Sequence, residues 1–64
     1  AHRAFLSRNK AVLAQLIEEG NAEKADALRE KMSKRYLELV GGGQSVDDSQ
    51  TQELVNLGVR CTQE

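Results

Sequence analysis

The chain predicts an all-α fold: an antiparallel helical hairpin, then a short third helix after a glycine-rich joint, completed by dimerisation into a helical bundle. Three observations carry this expectation. Apolar residues recur at helical spacing in two stripes, Phe5 to Ile17 and Ala25 to Val40. Only Gly20-Asn21 interrupts them, and Gly41-Gly42-Gly43 separates them from a third, weaker stripe that stops at Gly58.

The first helix is expected over about residues 3–19. Phe5, Leu6, Val12, Leu13, Leu16 and Ile17 fall in one wide arc of a 3.6-residue wheel, and Arg3, Ser7, Lys10, Gln15 and Glu18 fall outside it. Gly20 suits the left-handed position that ends a helix, and Asn21 suits the cap that starts the next, with Glu23 favoured in its first turn by the helix dipole. So short a connection makes the two helices antiparallel neighbours.

The second helix is expected over about 22–40, with Ala22, Ala25, Leu28, Met32, Tyr36, Leu39 and Val40 on its buried side. Three glycines then stop it. Their conformational freedom is costly to restrain, so residues 41–46 read as a flexible joint, the alternative being a glycine C-cap followed by extra loop. Beyond it, Ser45 or Asp47 can cap a third helix over about 48–57. Gly58 follows as its left-handed terminator, and Val59 folds back on Leu54. The expected organisation is a hairpin over 1–40, the joint over 41–46, a third helix with its C-terminal cap over 47–59 and a tail over 60–64.

Composition mostly removes options. A chain of 64 residues makes one small domain and buries a smaller share of its surface than a large one, so a two-helix hairpin alone is marginal and needs a further apolar surface. Net charge is −1, but residues 1–40 carry eight Lys/Arg against six Asp/Glu while residues 41–64 carry one against four. No apolar run approaches the ~20 residues of a membrane span, so no membrane association is expected. The lone Cys61 has no partner for an internal disulfide, which favours a reducing compartment and a cytoplasmic location.

No residue stands out as catalytic, and no cofactor or metal is expected. The run Gly41-Gly42-Gly43-Gln44-Ser45 lacks the spacing, the lysine and the preceding strand of a phosphate loop. His2 and Cys61 lie at opposite ends of the chain, and with Asp47-Asp48 they show no recognised ligand spacing. Asp47-Asp48 fits the positive end of the third helix, and Glu18-Glu19 fits a solvated surface pair.

Partner binding is therefore the expected function: a non-enzymatic helical docking or dimerisation module acting through an apolar groove on the hairpin. Its expected partner is a protein, either a second copy of the chain or another helix. Asn9 interrupts the first stripe, where an unpaired buried amide costs about 1–3 kcal/mol and a paired one can fix helical register. An antiparallel hairpin turning at 20–21 places Asn9 near Met32, Leu13 near Leu28 and Phe5 near Tyr36. The expected contact residues are Phe5, Asn9, Leu13, Leu16, Leu28, Met32 and Tyr36. The alternative is a small nucleic-acid-associated regulator using the basic end of the hairpin, where Arg3, Arg8, Lys10, Lys31, Lys34 and Arg35 collect.

Overall fold

A computed structural model describes residues 2–61. It is all-helical among those residues: α1 (His2–Glu18), α2 (Ala22–Gly41) and α3 (Asp48–Asn56). Ala1 and residues 62–64, which include most of the expected tail, lie outside the described residues.

All three helices end in the same way. After α1, Gly20 takes φ +75°, its N–H donates to the Ile17 carbonyl at 3.1 Å, and the Asn21 N–H donates to the Leu16 carbonyl at 3.0 Å. This pair of bonds is the Schellman motif, which satisfies carbonyls that the helix end leaves without partners and needs a residue at positive φ. It recurs at Gly43, with Gly43 donating to Val40 and Gln44 to Leu39, and at Gly58, with Gly58 donating to Val55 and Val59 to Leu54. Asn21 then starts α2, its Oδ1 accepting from the Lys24 N–H at 3.4 Å, so one dipeptide ends one helix and begins the next.

The glycine segment bonds back to the hairpin at several points. Gly41 still belongs to α2, Gly42 and Gly43 bond back to its last turn, and the Ser45 carbonyl accepts from Arg3 Nη2 at 2.8 Å. Asp47 is the residue that precedes α3, and its side chain makes no capping hydrogen bond there.

These constraints lay α3 across one side of the hairpin. The core takes Leu6 and Leu13 from α1, Ala25, Met32, Tyr36 and Leu39 from α2, Leu54 from α3, and Val59 from the segment that follows. Polar links frame it. Tyr36 Oη and Thr51 Oγ1 share a hydrogen bond at 3.1 Å, Lys10 pairs with Glu53, and Ser33 Oγ donates to the Arg60 carbonyl. Arg29 Nε donates to the Leu57 carbonyl at 2.8 Å, where a positive charge meets the negative end of the α3 dipole, and Nη1 of the same side chain pairs with Asp26.

Four residues expected in the buried stripes are exposed instead: Val12, Ile17, Ala22 and Val40. The arc drawn from the wheel was wider than the contact that two helices and a nine-residue third one can cover. The Arg35 guanidinium, and not the Tyr36 ring, lies over the Phe5 ring. Tyr36 turns to α3.

Gly58 joins two of these constraints. It sits at φ +88°, and a Cβ built there would come within 2.8 Å of Arg29 Nε. Gly58→Ala is expected to cost about 1–2 kcal/mol from the left-handed backbone alone, with further loss as Arg29 is pushed off Leu57. Urea unfolding of the variant beside Arg29→Ala and the double variant checks this. The double should lose less than the sum of the two singles.

Candidate partner-binding face

Of the seven expected contact residues, the structure places three in the chain's own interior. Leu13 and Met32 have no exposed surface, and Tyr36 is 8% exposed with its hydroxyl bonded to Thr51. Their surface meets the other two helices, so in this arrangement they do not present a contact face to a partner. The groove they were expected to line is occupied by Leu54 and Val59.

Asn9 is half-buried, and its Nδ2 donates to the Phe5 carbonyl at 2.8 Å, one turn earlier in the same helix. Its amide is therefore satisfied locally, and no described buried side-chain polar atom lacks a partner. The interruption of the stripe marks the border of the core rather than a polar contact within it.

Phe5, Leu16 and Leu28 are half-buried, and they belong to a different side of the hairpin from α3. Helix geometry separates the two sides. The residues tied to α3 and its flanking segments are Arg3 and Lys10 on α1 and Arg29, Ser33 and Tyr36 on α2. On the opposite side His2 Nε2 stands 3.4 Å from Glu38 Oε2, and Arg35 lies 4.4 Å from the Phe5 ring centroid. Helix periodicity continues the two sides toward the turn along Asn9, Val12 and Leu16 of α1 and along Lys31, Leu28 and Lys24 of α2. Residues 2, 5, 9, 12 and 16 of α1 and 24, 28, 31, 35 and 38 of α2 thus form two facing rows, each spaced alternately by three and four.

Val12 at the middle of this seam is 49% exposed. Arg35 covers part of the Phe5 ring, an arrangement that gains cation–π attraction while keeping the charge in water. Sequence reasoning overlooked Lys24, Lys31 and Arg35 as members of this face, and assigned Val12 to the core. The signal was present as the three-four spacing of 24, 28, 31, 35 and 38, but it lay beside the stronger apolar stripe centred on Met32.

Other features offer less chemistry. A cleft of about 490 Å³ runs along α2 beside the end of α3, with Arg29, Lys34 and Arg60 facing Glu30 and Ser33, so that charges of both signs line it. Arg29 is already engaged there by Leu57 and Asp26. Burial pushes the Cys61 thiol pKa up, which holds it in the protonated, less nucleophilic form, and its Sγ lies 3.7 Å from the Val59 carbonyl. Among the described residues no group of three or more His, Cys, Asp or Glu side chains could hold a metal ion, and no helix is long and apolar enough to cross a membrane. No family model, curated protein or solved structure matches the chain.

Proposed function

We propose that the chain is a non-enzymatic helical interaction module that docks a protein partner through the side of the hairpin opposite α3. The observation that carries this reading is the seam itself. Two antiparallel helices present paired rows at coiled-coil spacing, with Phe5, Val12, Leu16 and Leu28 only partly covered, and this is the geometry into which a further helix packs. Helix α3 supplies the apolar surface that the hairpin needs on one side; the other side remains available.

A nucleic-acid role for the basic end has less support. Arg3 bonds the Ser45 carbonyl and Lys10 pairs with Glu53, so two of the six cations in that cluster are engaged within the chain. The test of the docking reading is selection of displayed helical peptides of varied sequence against the folded protein, followed by rebinding to Val12→Asp. Binders that lose at least tenfold in affinity for Val12→Asp are the expected result. Sedimentation over a range of concentrations, with Leu16→Asp as control, reports closure of the same face by a second copy. A chain that stays monomeric and yields no binder sensitive to Val12→Asp would refute the reading.

A further inference from the structure

Charge on the open face identifies the kind of partner. Building on the docking reading, we infer that the face opposite α3 accepts an amphipathic helix with an apolar stripe and acidic flanks. Along the seam Lys24, Lys31 and Arg35 accompany the apolar residues, and Glu38 is the one carboxylate in the two rows, where it already faces His2. Arg8 follows on the outer flank of α1, and Glu19 continues the α1 row at its turn end, so the cations outnumber the acids most clearly in the half of the face away from the turn. The acids of the C-terminal part, Asp47, Asp48 and Glu53, belong to α3 and its entry on the other side of the hairpin, and Glu53 is paired with Lys10. The fold therefore leaves the open seam positive although the chain as a whole carries −1.

Shape restricts the partner further. The rows extend from His2 to Leu16, about 21 Å at 1.5 Å per residue, which matches a helix of about four turns. Apolar side chains of that helix would lie over Phe5, Val12, Leu16 and Leu28, with its acidic flanks reaching Lys24, Lys31 and Arg35. A second copy fits less well, because a two-fold dimer brings one net-positive patch against another of the same sign. A polyanion such as duplex nucleic acid fits less well too. It would satisfy the cations but desolvate four apolar side chains without packing them.

The experiment uses two synthetic three-heptad peptides, both with Leu at positions a and d, one with Glu and the other with Lys at e and g. Binding to the full chain is followed by fluorescence anisotropy at about 0.15 M salt, where charge interactions beyond ~8 Å are screened. The Glu peptide should bind at least tenfold more tightly. The preference should reverse toward the Lys peptide in Lys31→Glu/Arg35→Glu and stay unchanged in Arg60→Glu, which alters a cation on the other side. Should the double reversal fail to fold by circular dichroism, Lys24→Gln/Lys31→Gln, at two exposed positions, should still weaken the Glu peptide severalfold. Equal binding of both peptides that is lost in Val12→Asp would overturn the acidic partner and leave the docking face standing. Binding indifferent to Val12→Asp would overturn both. Tighter binding to duplex DNA or to anionic lipid vesicles than to the Glu peptide, abolished by the same charge reversals, would reassign the face.

Discussion

Leu54→Ala is expected to destabilise the chain by about 2–5 kcal/mol and to release α3 from the hairpin. Leu54 is 2% exposed and sits with Val46 against Leu6 and Leu39, so truncation opens a void between all three helices. Small domains have only about 5–15 kcal/mol in total, and this loss takes a large share of it. Release follows because α3 has nine residues, too few to stay helical in water without its packing. Two measurements check the outcome: the urea midpoint, and hydrogen exchange at the Val59 amide, which donates to the Leu54 carbonyl at 2.9 Å. Val55→Ala, at a 49% exposed position on the same helix, should change stability by no more than about 0.5 kcal/mol. Wild-type stability and protected Val59 in Leu54→Ala would mean that α3 is not what closes this core.

Met32→Ala should cost a similar amount, about 2–5 kcal/mol, whereas Met32→Leu should cost less than about 1.5 kcal/mol because it keeps the buried volume. Met32 has no exposed surface and lies at the middle of α2, where the hairpin and α3 converge. The contrast separates two roles for the same residue. A partner contact would tolerate Ala with little change in stability and lose binding. An interior residue loses stability and affects binding only through the fraction that is folded. Thermal or urea unfolding of both variants, beside binding of the Glu peptide to Met32→Leu, distinguishes them; wild-type stability in Met32→Ala would contradict the interior placement.

The helices and their ends were legible because they rest on local rules. Gly20, Asn21 and Gly58 act where the sequence indicates, since a positive φ or an oxygen-bearing cap is a property of one residue and its near neighbours. The glycine run was less transparent. Only Gly43 of the three takes positive φ, and the spacing alone could not distinguish a Schellman turn from a loose linker. Arg29 was visible as an intrusion beside the apolar stripe, but its role at the end of α3 depends on a carbonyl 28 residues away.

The candidate site was the least legible part. A helical wheel ranks positions by distance from the centre of the apolar arc and cannot tell which flank a third element will cover. Leu13, Met32 and Tyr36 stand at or near that centre and were therefore named as contacts, although the centre is what the chain keeps for itself. Val12 and Lys31 stand on a flank. Their place on the open side follows only once the two helices pack and α3 takes the other side.

By itself, then, the sequence determined three helices, the turn between the first two and the caps at Gly20 and Gly58, because backbone hydrogen bonding and side-chain periodicity act over a few residues. Only the tertiary structure decided that α3 covers one side of the hairpin, that the other side is left partly apolar, and that the stripe around Met32 is closed by the chain's own third helix. Those outcomes depend on contacts between residues far apart in the chain, such as Lys10 with Glu53 and Tyr36 with Thr51, whose formation follows from packing area and not from local spacing.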